Sequence, residues 1–379
     1  MTEWDAADIV AMEDAARRFA EAEVRPRLEA WEDAGEFPRA LYGRLGELGW
    51  LGIGYPEELG GTPAPQLVRN ALTLALARHT ASGGFLAGAF SHSIGLPPIL
   101  RHGSEELKQR IVPAVLRGEQ ISALAITEPG GGSDVAALRT NARRDGDDYV
   151  IDGEKTFITS GMRADWLTVA VRTGPGSLSL LAVPGDTAGI TRTPLRKMGW
   201  LCSDTAHLHF DAVRVPAANL IGEEGKGFRI IMSNFNSERI ALSAISLGMA
   251  EACYDEALAW ARTRKTFGAA LIEHQVVRHK LVDMRMRLAS TRAWLEQVSL
   301  RADRGQMDGE WVADVCMLKN HATQTMQFCA DQAVQLLGGM GFMRGTASER
   351  VYREVKVAMI GGGAEEIMKE LAARQLGMM

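Results

Sequence analysis

The sequence lacks paired cysteines and any excess of basic charge. Only four of the 379 residues are cysteine (Cys202, Cys253, Cys316 and Cys329), and no two of them form a Cys-x-x-Cys pair. This usage is typical of a reducing cytoplasm and argues against a disulfide scaffold. The 42 Lys and Arg residues are outnumbered by 47 Asp and Glu residues, which leaves a formal net charge of −5. We therefore expect a cytoplasmic protein that does not bind nucleic acid.

A continuous apolar run that could cross a membrane is also missing. The uncharged segment Thr80–Leu100 contains four glycines and the pair Pro97-Pro98, whereas a membrane-spanning helix needs about 20 predominantly apolar residues. We interpret this segment as a buried, glycine-rich helix and expect no membrane span. The acidic N-terminus is not typical of a secretory or mitochondrial leader.

Helical periodicity is present toward both ends of the chain. Ile9, Met12, Ala16 and Phe19 are spaced as neighbours on one helix face. In the last third, four long helical runs with short connections predict an antiparallel bundle. These runs cover about residues 226–263, 270–304, 309–338 and 364–375.

The middle of the chain has the alternation and turn signals of β-structure. Tyr149–Ile158 predicts a strand, a turn at Asp152-Gly153 and a second strand. Thr205–Val215 alternates between apolar and polar residues. Short strands spaced this closely suggest a small barrel or sandwich, so the predicted order is helical, β and helical.

One glutamate occupies a place where the helical pattern favours an apolar residue. Glu238 lies on a stripe whose other members are Ile231, Phe235, Leu242, Ile245 and Met249. Burial there would raise the pKa of Glu238 above roughly 4.3, toward that of a useful general base. The alternative is an ion pair with a core arginine, although the adjacent Arg239 points about 100° away on a helix. Periodicity alone leaves both interpretations open.

Two glycine clusters could bind polar groups. Thr127–Asp134 contains the run Gly130–Gly132, whose N–H groups could approach a phosphate or a polar ring edge. It is not the phosphate loop of nucleotide hydrolases, because no Gly-Lys-Ser/Thr follows. Gly361–Gly363 precedes acidic residues typical of a helix N-terminus, where free N–H groups could hold an oxyanion. A plain turn and a flexible hinge are the alternatives.

Six motifs follow one another along nearly the whole chain. They are Tyr55–Gly61, Ala125–Asp134, Asp152–Gly161, Arg264–Gly268, Gln335–Phe342 and Tyr352–Glu354. Together they resemble the acyl-CoA dehydrogenase family of flavoproteins. The resemblance implies an α+β multidomain fold, with an N-terminal helical domain (1–121), a central β-barrel (122–225) and a C-terminal four-helix bundle (226–379). It also implies a homotetramer built as a pair of dimers, with FAD in each subunit.

The same resemblance implies which residues hold the FAD. Ile126 and Thr127 would bind the pyrimidine end of the flavin. Thr159 would bond near flavin N5, and Phe157 would lie against the ring. The adenosine diphosphate half would be bound across a dimer interface by Arg264, Thr266, Phe267, Gln335 and Gly339, with Gln275 near that interface.

The implied activity is FAD-dependent dehydrogenation of an acyl-CoA thioester to trans-2-enoyl-CoA, as in fatty-acid β-oxidation, with electrons passed to electron-transfer flavoprotein. Most members of the family have their catalytic glutamate at the position of Gly362. A minority, including isovaleryl-CoA and long-chain dehydrogenases, have it directly before an arginine on an earlier helix. Glu238-Arg239 matches this minority. We therefore predict Glu238 as the base and the Gly362 N–H as a donor to the thioester oxygen.

The remaining site predictions concern phosphates and substrate. Gly132 and Ser133 would reach the FAD phosphates. Substrate-binding residues are predicted to be Ser133, Asn236 and Arg239, and the apolar Leu96 and Ile99 are predicted to wall the acyl pocket.

Three alternative functions stay open at the level of sequence. The substrate could be an acyl group tethered to a carrier protein, or the fold could serve a flavin oxidase or monooxygenase. A scaffold role on an inactive fold is the non-enzymatic alternative. We expect no metal site, because His207 and His209 share a strand face but spacing places no third ligand near them.

Overall fold

Helices form the N-terminal part of the protein in a computed structural model that describes residues 4–379. Asp5 caps the first helix through its carboxylate. The predicted face of that helix is confirmed, since Met12, Ala16 and Phe19 are buried. The helices of this part are α1 (Ala6–Phe19), α2 (Leu28–Ala34), α3 (Ala40–Glu47), α4 (Gln66–Thr80), α5 (Gly83–Ala89), α6 (His92–Gly95), α7 (Pro97–His102) and α8 (Glu105–Leu116).

The uncharged segment Thr80–Leu100 is largely buried, but the prediction of a single helix is wrong. Helix α4 ends just before Ala81, which has a left-handed conformation with a φ of 48°. Ser82 then caps α5 by accepting a hydrogen bond from the Phe85 N–H. Pro97, which has no N–H to donate, begins α7. Across residues 4–379, no helix has both the length and the apolar character to cross a bilayer.

Eight strands between residues 122 and 221 form one sheet. They are β1 (Ser122–Ala125), β2 (Asn141–Asp145), β3 (Asp148–Thr159), β4 (Trp166–Gly174), β5 (Ser177–Pro184), β6 (Ile190–Pro194), β7 (Thr205–Pro216) and β8 (Leu220–Ile221). Hydrogen bonds join them in the order β6-β7-β3-β2-β4-β5-β8, and β1 runs parallel to β4. The predicted closed barrel is wrong, because β6 and β8 are not paired with each other within residues 4–379. In the described part of the chain, the two residues of β8 pair with β5 alone.

The predicted turn at Asp152-Gly153 does not form, since both residues lie inside the continuous strand β3. Gly153 has a φ of 143° at a register shift against β7. A Cβ at this position would lie 2.7 Å from the Cα of Thr140, so glycine permits the close approach of two backbones. The hairpin turn instead uses Gly146 and Asp147, between β2 and β3.

Between residues 227 and 375, five helices form the C-terminal part, one more than predicted. They are α9 (Gly227–Thr263), α10 (Gln275–Asp303), α11 (Gly309–Leu337), α12 (Ala347–Ile360) and α13 (Glu365–Gln375), and a hairpin of β9 (Lys265–Thr266) and β10 (Ala269–Ala270) follows α9. The helix missed from sequence is α12. Thr346 caps it, and Val351, Val355 and Ala358 line its buried face at helical spacing. The sequence therefore contained the signal for this helix.

A buried carboxylate joins the three parts of the molecule. Glu354, on α12, is completely buried. It accepts hydrogen bonds from the N–H of Gly83 on α5 (2.8 Å) and from the N–H of Trp200 in the loop before β7 (3.1 Å). Burial raises the pKa of Glu354 to about 7. Both carboxylate oxygens therefore bind backbone donors from the other two parts.

Glu354→Gln is expected to lower the free energy of unfolding by about 1–3 kcal/mol, because an amide NH2 group replaces one accepting oxygen and leaves a buried N–H unpaired. Urea denaturation measures the change. Glu296→Gln is the matched control, since Glu296 is exposed on α10. Equal stability of the two variants would contradict the linking role of Glu354.

Candidate active site

Glu238 lies on α9 and faces the loop between α12 and α13. A Cβ placed on Gly362 would lie 3.7 Å from Oε1 of Glu238 and 2.8 Å from Cδ1 of Leu242. The Oε2 atom of Glu238 is buried and has no hydrogen-bond partner within residues 4–379. Burial raises the pKa of Glu238 to about 7, against the opposing effect of the Arg239 and Lys319 charges. A carboxylate in these surroundings can accept a proton from a weak carbon acid.

Arg239 does not form the ion pair that was the alternative role for Glu238. Its Nε donates to the carbonyl oxygen of Gly362 at 3.0 Å, and its Nη1 donates to Oδ1 of the half-buried Asn236 at 3.0 Å. Neighbouring residues on a helix point in different directions, which explains why Arg239 binds these two groups and not the Glu238 carboxylate.

The loop Gly361–Gly363 is also bound by Lys319, on α11. Its Nζ donates to the carbonyl oxygens of Met359 and Gly363, each at 2.8 Å. Gly362 and Gly363 have φ values of 67° and 113°, in the left-handed region that favours glycine. The Gly362 N–H donates to no acceptor within residues 4–379 and is available to a bound oxygen atom.

Sequence reasoning missed Lys319, although a signal for it was present. Its side chain is completely buried. Cys316, Thr323 and Met326 follow helical spacing around it and are also buried on α11. A charged residue on such a stripe is the same kind of observation that singled out Glu238.

A buried ion pair anchors the glycine loop that follows β1. The Nζ of Lys155 donates to the carboxylate of Glu128 (2.8 Å) and to the carbonyl oxygen of Ile126 (2.9 Å). The Thr156 N–H donates to the Thr127 carbonyl oxygen at 2.8 Å. These bonds hold the start of the loop beside β3, while the glycines that follow stay exposed. The motifs included Lys155 and Glu128, but sequence reasoning assigned neither a role.

Two of the predicted flavin-binding residues lie at the end of β3, next to this loop. Phe157 has a φ of 60°, a left-handed conformation that costs about 1–2 kcal/mol. Its side chain is 70% exposed, whereas Thr159 is half-buried. An exposed ring held in a strained conformation beside Thr127 fits a planar ligand such as a flavin. The exposed Gly132 and Ser133 fit a phosphate-binding role.

The other predicted cofactor residues lie around the β9–β10 hairpin, the start of α10 and the end of α11. Phe267 is completely exposed at the tip of the hairpin. The Oγ1 atom of Thr266 lies 3.5 Å from Nε2 of His274. Four members are exposed on these elements, namely Arg264, Gln275, Gln335 and Gly339. No hydrogen bond within residues 4–379 joins this surface to Thr127 or Phe157.

Leu96 and Ile99 are completely buried. They belong to the same apolar cluster as Ile231, and Phe235, one turn before Glu238 on α9, packs against that cluster. They can influence the site through this packing, and their role as walls of an acyl pocket stays a prediction.

The two histidines on β7 both lie near Glu154. Nε2 of His207 is 3.3 Å from its carboxylate, and Nδ1 of His209 is 3.9 Å away. In the part of the chain that the structure describes, no group of three or more His, Cys, Asp or Glu side chains is placed to hold a metal ion.

Comparison with known proteins gives matches over almost the whole chain. Models of the acyl-CoA dehydrogenase N-terminal, middle and C-terminal domains match residues 7–119, 123–213 and 225–377. The mitochondrial long-chain specific acyl-CoA dehydrogenase of Rattus norvegicus is 35% identical over 371 residues, which cover 96% of this chain and 85% of that protein. A crystal structure of acyl-CoA dehydrogenase from Geobacillus kaustophilus has a TM-score of 0.93 and 35% identity, and covers 99% of this chain and 100% of that one.

Two less similar structures are described with a cofactor or an electron carrier. A glutaryl-CoA dehydrogenase from Mycobacterium smegmatis in complex with FADH2 has a TM-score of 0.91 and 26% identity, with 99% of this chain and 96% of that chain covered. A chain in the structure described as the electron transferring flavoprotein of Acidaminococcus fermentans has a TM-score of 0.93 and 29% identity, with 99% of each chain covered.

Proposed function

Because this chain belongs to the acyl-CoA dehydrogenase family, we propose that it binds FAD and dehydrogenates an acyl-CoA thioester to the trans-2-enoyl-CoA. The observation that carries the proposal is the carboxylate of the half-buried Glu238. Its Oε2 atom is buried without a hydrogen-bond partner within residues 4–379, and its Oε1 atom faces Gly362. Electron-transfer flavoprotein is the proposed electron acceptor, and the similarity to a chain from a structure of such a flavoprotein supports this choice.

The proposed FAD site has one part in each of two subunits. Ile126, Thr127, Phe157 and Thr159 would hold the flavin, and Gly132 and Ser133 would reach the phosphates. The surface around Phe267 would bind the adenosine diphosphate half of the FAD of a partner subunit. No hydrogen bond within residues 4–379 joins this surface to Phe157. The proposed assembly is a homotetramer built as a pair of dimers. When bound, FAD supplies the acceptor for the hydride that leaves the β carbon.

The protein's own part in the reaction is to remove a proton and stabilise the resulting charge. Glu238 takes the proton from the α carbon, and negative charge then develops on the thioester oxygen. The Gly362 N–H donates to that oxygen and lowers the barrier. The absence of a side chain at Gly362 leaves room for the thioester beside the carboxylate. Arg239 donates hydrogen bonds to the Gly362 carbonyl oxygen and to Asn236. Arg239 and Asn236 would together contact the substrate.

The rate of flavin reduction by an acyl-CoA is expected to rise with pH and to reach half of its maximum near pH 7. Glu238 accepts a proton only as the carboxylate, and burial raises its pKa to about 7, so the protonated and inactive fraction grows as the pH falls below that value. Stopped-flow absorbance between about pH 5 and pH 9 measures the profile. A rate that stays constant over this range would contradict a base with this pKa.

Anaerobic mixing of the FAD-loaded protein with a panel of straight and branched acyl-CoAs tests the proposed reaction. Bleaching of the flavin together with formation of an enoyl-CoA supports it. Bleaching by a carrier-protein thioester alone would assign a tethered substrate instead. Rapid turnover in air without an added acceptor would indicate an oxidase or monooxygenase. An oxidised flavin with every substrate would overturn the proposal.

A further inference from the structure

Two cations on different helices bind the glycine loop that faces Glu238. Lys319, on α11, bonds to the carbonyl oxygens of Met359 and Gly363. Arg239, on α9, bonds to the carbonyl oxygen between them in the chain, that of Gly362. Three carbonyl groups within five residues therefore point toward buried positive charge.

This binding matters because glycine has little conformational preference of its own. Gly362 and Gly363 are in left-handed conformations that the backbone adopts freely but does not favour over others. Without a partner for the Gly363 carbonyl, the loop gains other orientations, and the Gly362 N–H loses its fixed direction. A donor stabilises a developing oxyanion only when its direction is fixed before the reaction.

The ammonium group of Lys319 also acts on Glu238 through its charge. The charged groups near Glu238 are Arg239 on its own helix and Lys319 from α11, and both lower the pKa of Glu238. Burial and the Arg239 charge lower the pKa of Lys319 to about 8, against the opposing effects of Glu238, of Glu365 at the start of α13 and of Cys316. Lys319 is therefore mainly protonated at pH 7, and its charge favours the carboxylate form of Glu238.

We propose that Lys319 is a positioning residue of the dehydrogenase site, which fixes the Gly362 N–H through the Gly363 carbonyl and keeps Glu238 ionised through its positive charge. The inference rests on the proposed function, because it assigns Lys319 a part in the same reaction. It requires no contact between Lys319 and the substrate.

Lys319→Met and Lys319→Gln test the two effects in the FAD-loaded enzyme. The methionine variant removes both charge and hydrogen bonds, whereas glutamine retains a donor for one carbonyl group. For both we expect the pH midpoint of flavin reduction to move up by about one unit, since one positive charge near Glu238 is lost. At pH 7 we expect the limiting rate to fall at least about tenfold for methionine and less for glutamine, with KM changed less than kcat.

Lys108→Gln is the matched control. Lys108, on α8, pairs with the exposed Glu105, and its loss should leave the midpoint unchanged. A purely structural role for Lys319 would lower flavin content and rate at every pH without moving the midpoint, and this result would overturn the proposal. Failure of both Lys319 variants to fold would also overturn it, by showing that the fold itself requires the residue.

The Glu238→Gln variant distinguishes failure of the proposed function from failure of the role proposed for Lys319. A Glu238→Gln enzyme that reduces its flavin at the normal rate would refute the proposed function and remove the basis of this inference. Unchanged midpoints in the Lys319 variants, together with an inactive Glu238→Gln enzyme, would refute only the inference.

Discussion

Glu238→Gln is expected to lower the rate of flavin reduction by an acyl-CoA at least about 100-fold, in line with the loss of a general base. Glutamine has the shape of glutamate but cannot take the α proton. The buried Oε2 of Glu238 has no hydrogen-bond partner within residues 4–379, so removal of the charge breaks no bond of the fold there. Flavin content and acyl-CoA binding should therefore stay normal. Single-turnover stopped-flow under anaerobic conditions measures the rate.

Another buried carboxylate on the same helix gives a matched control. Glu251 is buried on α9, where Arg292 Nη2 binds its carboxylate at 2.6 Å. Glu251→Gln should lower stability because it weakens this ion pair, while the rate of flavin reduction per bound FAD stays near normal. If Glu238→Gln keeps more than about a tenth of the normal rate, the base in this enzyme is another group.

Lys155→Met is expected to have the largest effect on stability, a loss of about 3–5 kcal/mol. Lys155 is completely buried, and its removal leaves the Glu128 carboxylate without its cation. The carbonyl oxygen of Ile126 loses its donor as well. Because these bonds hold the start of the glycine loop beside Phe157, flavin content should fall together with stability. Urea denaturation and the ratio of flavin to protein absorbance measure the two effects.

The contribution of the Glu128 charge can be separated from that of the lost packing. Glu128 also accepts hydrogen bonds from the N–H groups of Arg139 and Thr140, so Glu128→Gln alone should cost stability as well. In the double variant with Lys155→Met the charge is gone, and the combined loss should be smaller than the sum of the two single losses. Lys369→Gln breaks an exposed ion pair and should cost less than about 1 kcal/mol. A Lys155→Met protein as stable as Lys369→Gln, with full flavin content, would refute the anchoring role of Lys155.

Predictions from sequence were correct where short-range spacing decides the structure. The stripe around Glu238 predicted both the helix and the burial of the carboxyl group, because residues three and four apart share a helix face whatever lies opposite. The same rule would have identified α12 from Val351, Val355 and Ala358. Alternation predicted strands in the middle of the chain, since side chains on a strand alternate between faces.

Predictions failed where a distant segment decides the local structure. Asp152-Gly153 has a turn sequence, yet both residues lie within β3. The glycine is required there because the Thr140 backbone lies too close for a side chain at residue 153. The resemblance implied a closed barrel, but closure depends on pairing between the two end strands, which local patterns do not describe. The single helix predicted from Thr80 onward is broken at Ala81, whose left-handed conformation is not indicated by any turn signal at that residue.

By itself, the amino-acid sequence determined the order of helical and β parts, the family motifs and the unusual position of Glu238, because each depends on residues close together in the chain. Only the tertiary structure decided the partners of the buried charges. Arg239 meets the Gly362 carbonyl, Lys319 meets that of Gly363, and Glu354 meets two backbone N–H groups from other parts of the molecule. Burying a charge without a partner is costly, and the partners of these three groups come from helices and loops that packing brings together from more than 40 residues away.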